Sequence, residues 1–259
     1  MKIEIGESLA LSYLKHVKKC VIYQNNWKIS SRWRESDKGN NNKNITLEEK
    51  IFNEIKTRFN GVFKSSFNQT IKQAEIDALG MDKEGKIYAI DIAYHEKGLS
   101  YDKDNNVTKN KMIKKLLRSY LILLSYFPDR DYEIIFASPK VREATESIII
   151  QSFNDLNTFF NNNVELQNKV KLKNNVEFKY ISNEEFRKEI LDKTIKASEK
   201  DSDTNELFMR SYKLLELFDR VSNIAKEEID LDTEIPPTAS LVLEFKPSDE
   251  NAIQAINKS

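Results

Sequence analysis

The chain has 259 residues, with 41 lysines and arginines against 41 aspartates and glutamates, so its formal net charge is zero. Its 10% aromatic content argues against a disordered chain, and no apolar run reaches the ~18 residues that a membrane helix needs. A single cysteine, Cys20, excludes an internal disulfide and a cysteine-based zinc cluster, which predicts a reducing, cytoplasmic setting with no membrane partner.

In chain order, residues 5 to 20 predict a helix with Ala10, Leu14, Val17 and Val21 as its apolar stripe. The charges of MKIEIGESLALSYLKHVKK break up what would be a signal-peptide core. CVIYQNNWKI (20–29) reads as a short strand and turn, and 36–44 as a polar loop. Thr46 with Glu49 three residues on forms a capping-box signal for a helix that stops at Asn60-Gly61. Three strand-like runs follow: 62–67, 70–80 and 86–94, the last two joined by the hairpin connection MDKEG. Residues 109 to 127 make an amphipathic helix with Met112, Ile113, Leu116, Leu117, Tyr120, Leu121 and Leu124 inward. A strand at 133–138, a helix at 141–160, a strand at 176–182 and a helix from Asn183 to Leu191 complete the alternation. Hairpins first and strand–helix alternation later imply an α/β (α+β) fold, a mixed sheet flanked by helices. The character changes after Lys193, giving an expected core domain of 1–193 and a C-terminal helical and β extension of 194–259, either a small module or part of a truncated one.

The chemistry begins with Asp91, which interrupts the otherwise apolar strand KIYAIDIAY. An ionised carboxylate buried there is costly unless a cation or hydrogen bonds compensate it. Asp77 sits in a second such strand, AEIDALG, and the hairpin brings the two acids toward one end of one sheet. Two carboxylates so placed repel, and a hard divalent cation such as Mg²⁺ (or Mn²⁺) relieves the repulsion. The competing reading pairs them with internal lysines. Glu7 is a third acid out of place, on the apolar stripe of the first helix.

GESLALSYLK, then QAEIDALG, then KIYAIDIAY resembles the PD-(D/E)XK nuclease superfamily, in particular its restriction-endonuclease-like and Holliday-junction-resolvase-like members. The resemblance covers roughly residues 5 to 140 and implies a restriction-endonuclease-like core. It implies Asp77 and Asp91 as catalytic metal-binding acids, Glu7 as the helix glutamate that completes the shell, and the Ile92 carbonyl as a further ligand. The departure is Ala93, which stands where the family carries its lysine. Three readings follow: His95 takes over as catalytic base or water-positioning group, a lysine such as Lys97 or Lys114 reaches in from elsewhere, or the site only binds.

For a nucleic-acid partner the candidates are two clusters. Lys111, Lys114, Lys115 and Arg118 fall at i, i+3, i+4 and i+7 on one helix face, a stripe for phosphates or a plain solvated face. Lys28, Arg32, Trp33 and Arg34 adjoin Trp27, which also suits an anchor to the core. The expected function is a Mg²⁺-dependent DNA endonuclease of a defence or repair system, with a homodimer expected of enzymes that cut both strands. The alternatives are an inactive nuclease-fold domain that binds nucleic acid, and an interaction subunit whose acids pair with internal lysines.

Overall fold

The computed structural model describes residues 5–29, 46–95, 98–99, 104–161, 175–199 and 206–217. Helices α1 (Ile5–His16), α2 (Leu47–Arg58), α3 (Phe67–Lys72), α4 (Asn105–Tyr126) and α5 (Glu143–Asn161) surround strands β1 (Ile22–Lys28), β2 (Glu75–Met81), β3 (Ile87–Ile92), β4 (Tyr132–Ser138) and β5 (Val176–Ser182). Three helical segments, Asn183–Phe186, Arg187–Asp192 of π type and Lys193–Ser198, follow one another as α6. The strands form one five-stranded mixed sheet in the order β1-β2-β3-β4-β5. Its first three strands are antiparallel, and β3, β4 and β5 are parallel. The fold is therefore mixed α/β, a mixed sheet flanked by helices, as the alternation of elements implies.

Local signals explain the elements. Thr46 caps α2 by accepting a hydrogen bond from the Glu49 N–H, and Gly61 takes the positive φ of +84° at its exit. The β2–β3 hairpin closes through the Asp82 N–H to the Lys86 carbonyl at 3.1 Å, with Gly85 at φ +84°. All seven inward residues expected of α4 are buried. Every residue of β3 and of β4 is buried, because α4 and α5 cover one face of the sheet and α1 and α6 the other.

Three expectations fail. The run 62–67 forms no strand, and the strand expected from Thr70 begins only at Glu75. Ser66 and Gln69 instead make a reciprocal capping box that starts α3, and Phe67, Thr70 and Ile71 become its buried face. Val21 is 62% exposed rather than part of the α1 stripe, because α1 ends at His16. The polar loop at 36–44 and the expected C-terminal strand lie outside the described residues.

The chain divides into two compact units, Met1–Lys213 and Leu214–Ser259. The first runs past the Lys193 boundary expected from composition, because α6 packs on α1 and residues 206–213 are tied to it. Lys15 and His16 meet Glu206 at 2.8 and 3.5 Å, and the Phe208 N–H donates to Ser8 Oγ. In the second unit residues 214–217 are described, and they are helical. None of the described helices is long and apolar enough to cross a membrane.

Two polar devices stiffen the sheet. Asn157 of α5 serves the edge strand β5, donating from Nδ2 to the Phe178 carbonyl at 2.8 Å and accepting the Phe178 N–H at 2.9 Å. Glu133 of β4 is buried and takes Lys18, Lys86 and Lys179 at 2.6, 2.9 and 3.2 Å. Burial alone would raise its carboxyl; the hydrogen bonds from Lys18 and Lys86, with the charges of Lys18 and Lys179, outweigh burial and bring it down to about 2. A depressed carboxylate stabilises the fold above the ordinary glutamate range and loses that contribution as pH falls toward 2. Glu133→Gln should therefore cost about 3 kcal/mol near neutrality. In urea titrations the gap between wild type and variant should narrow at pH 3; a gap unchanged between pH 7 and pH 3 would refute the charge-based account.

Candidate functional site

The hairpin register pairs Met81 with Ile87, Gly80 with Tyr88, Leu79 with Ala89 and Ala78 with Ile90. One step further along the same register sets Asp77 across from Asp91. Alternation along the strands turns both toward α4, on the sheet face that holds Ala89 and Ala93. There Lys115 of α4 stands between them, its Nζ 2.9 Å from Asp77 Oδ2 and 3.1 Å from Asp91 Oδ1.

Each carboxylate is further held. Asp77 Oδ2 accepts the Ile92 N–H at 2.9 Å, so the acid of one strand caps the end of the other. Asp91 Oδ2 accepts from Ser119 Oγ at 3.0 Å, and Ser119 lies one helical turn beyond Lys115. Asp91 Oδ1 is buried and is held by the Lys115 ammonium, with no other donor beside it among the described residues. Asp91 is 1% exposed, whereas the Lys115 side chain is 35% exposed. The site thus grades from a dry carboxylate to an ammonium at the solvent. Burial pushes the Asp91 carboxyl above the usual aspartate range; Lys115 and the Ser119 hydrogen bond oppose this, and the Asp77 charge adds to it.

Glu7 is set near this end of the sheet from the other side. Asn26 of β1 lies between the pairs Asn25–Ala78 and Trp27–Ile76, which puts it beside Asp77, and its Nδ2 donates to Glu7 Oε2 at 2.8 Å. Asn26 adopts φ +51°, a left-handed backbone that asparagine tolerates better than most residues. Asn25 beside it buries an Oδ1 with no donor among the described residues. Among the described residues no three His, Cys, Asp or Glu side chains converge as a ready ligand set. The donors that do meet are two hard carboxylates bridged by Lys115, and with both ionised they exceed it by one negative charge. That set suits a cation that keeps most of its waters, as Mg²⁺ does.

The remaining candidates divide. His95 follows the end of β3 and is exposed, whereas Lys115 bridges the carboxylates. The lysine that reaches in is Lys115 rather than its neighbour Lys114, and Lys97 lies outside the described residues. The basic stripe of α4 splits, with Lys115 turned to the acids, Lys111 exposed, and Lys114 and Arg118 half-buried beside it. Ser119 is the signal that marks Lys115 as inward: it is the polar interruption of the apolar face one turn away. Trp27 packs against Tyr126 and Phe127, with ring centroids 5.5 and 6.2 Å away, and is a core anchor. Lys28 pairs with Glu75 at 3.1 Å on the surface. Arg32, Trp33 and Arg34 lie outside the described residues.

Comparison of the chain with protein-family models, curated proteins and solved structures returned no match.

Removing Lys115 leaves Asp91 to ionise against Asp77 alone. An acid whose folded-state pKa is raised loses stability as pH rises through that pKa, so Lys115→Met in metal-free buffer should be destabilised more at pH 8 than at pH 5. The expected loss at pH 8 is about 2 kcal/mol, a fall in Tm of roughly 4–8 °C. Adding Asp91→Asn should restore most of it. Equal losses at both pH values would refute the coupling.

Proposed function

We propose that the protein is a Mg²⁺- or Mn²⁺-dependent endonuclease that hydrolyses phosphodiester bonds in DNA, of the PD-(D/E)XK kind. The observation that carries this reading is the ammonium of Lys115 between Asp77 and Asp91. A nuclease of this kind needs two acids and a lysine at one point, and Ala93 leaves the usual lysine position empty of charge. Lys115 supplies that charge from α4. The hairpin β2–β3 followed by α4 and the parallel strand β4, with α1 on the opposite face, supports the restriction-endonuclease-like core that the resemblance implies.

Asp77 and Asp91 would hold the cation, with the Ile92 carbonyl and Glu7 as further donors. Bound there, the cation supplies Lewis acidity toward the scissile phosphate. The chain's own groups do the rest. Ser119 and the Ile92 N–H fix the two carboxylates, so that little reorganisation is needed when substrate arrives. Lys115, with its side chain 35% exposed, would donate hydrogen bonds to the attacking water and to the phosphate oxygens where negative charge grows. The buried floor of Ala89, Ala93 and Leu116 excludes bulk water behind the acids and strengthens each of these contacts.

The test is nicking of supercoiled plasmid with Mg²⁺ or Mn²⁺. Asp77→Ala and Asp91→Ala should abolish cleavage while the circular dichroism spectrum stays native. Lys115→Ala should slow it by about 10²–10³-fold, the scale of losing one charge-stabilising donor, and His95→Ala should leave most of the rate. Undiminished cutting by Asp91→Ala would sink the assignment.

A further inference from the structure

Several lysines described elsewhere in the molecule are paired with carboxylates. Lys18, Lys86 and Lys179 share Glu133; Lys28 has Glu75; Lys188 has Glu184; Lys193 has Glu189. Beside the acid pair the balance reverses. Lys114 and Arg118 stand one turn apart on the same face of α4, and Lys64, in the segment that leads into α3, lies near enough for its charge to act on Lys114. Burial lowers the Lys114 ammonium, and the charges that lower it further are those of Arg118 and Lys64, all three positive.

Arg118 is the anchor. Its Nη2 donates to Gln73 Oε1 at 2.8 Å, which draws the guanidinium to the segment just before β2. Its Nε is shielded from solvent and has no acceptor among the described residues. A guanidinium offers five donors; a half-buried one held by a neutral amide leaves charge and donors unsatisfied, which an anionic oxygen satisfies best.

We infer that Lys64, Lys114 and Arg118 form a seat for a backbone phosphate of duplex DNA, next to the Asp77–Asp91–Lys115 site. The inference rests on the proposed endonuclease for its ligand and extends it. Lys114 adjoins Lys115 and Arg118 adjoins Ser119 along α4, so a strand gripped here lies within one helical turn of the groups that would act on it. A seat of this kind binds phosphate, and phosphate contacts carry no base identity. It brings in Lys64, outside the α4 stripe, and releases Lys115 for chemistry.

The experiment is binding of a short fluorescent DNA duplex by the full chain in EDTA, where no cleavage interferes, across a series of salt concentrations. For duplex DNA each phosphate contact contributes about 0.9 to the slope of log K against log[salt]. Lys64→Met, Lys114→Met and Arg118→Met should each lower that slope by about one, and the triple variant by about three. Lys188→Met on α6 should leave it unchanged. Arg118→Lys keeps the charge and should keep the slope, which guards against a fold defect in Arg118→Met; the two lysine variants alter only partly exposed side chains. A wild-type slope in the triple variant, or no duplex binding at low salt, overturns the seat. If the slopes fall as expected but wild type never cuts with Mg²⁺ or Mn²⁺, the seat stands and the endonuclease reading falls. If wild type cuts and the slopes do not move, the reverse holds.

Discussion

One ammonium between two carboxylates sets the terms for the centre of this molecule. Asp91 lies on a strand buried on both faces, and the hairpin register sets Asp77 across from it. Neither acid tolerates the other at that distance without a cation. Lys115 provides it only because α4 crosses the same face with the right helical phase. The tight MDKEG turn, the docking of α4 through its seven inward side chains and the Ser119 hydrogen bond all converge on that contact. A slip of one residue in the hairpin would turn one acid to the α1 face and leave Lys115 with half its partner.

The sheet carries two charge centres of opposite make-up. On β4, one buried glutamate is wrapped by three lysines, with its carboxyl held low and both oxygens engaged. Between β2 and β3, two acids share one lysine, and one carboxyl is held high. The first arrangement is saturated and serves stability. The second leaves one negative charge more than its lysine offsets when both acids ionise, which is the feature that the proposed cation would answer.

Much of this was legible from residue order. The Thr46 cap, the Gly85 turn, the α4 stripe and the doubly buried β3 each follow from signals a few residues long. The acid pair was legible because carboxylates in apolar strands are conspicuous. The α3 turn was not, because VFKSSF has strand-forming residues and only the Ser66–Gln69 box outweighs them. Lys64 stayed hidden for the same reason. Lys115 and Lys114 differ by one position on a helix, and choosing between them needs the crossing of α4 over the sheet. Asn26 carries no local signal: its backbone follows from the pairing of β1 with β2, and its side chain reaches Glu7 across nineteen residues of sequence.

The clasp of Asn157 on Phe178 bears on how the sheet ends. An edge strand presents unpaired N–H and carbonyl groups, a template for any passing chain. At Phe178 both groups are already occupied by a side-chain amide whose donor and acceptor copy those of a peptide bond. A helix residue thereby stands in for a sixth strand at that point. The margin of β5 is closed to strand addition there without proline, bulge or inward charge, and Asn157 serves as a terminator for the growth of the sheet.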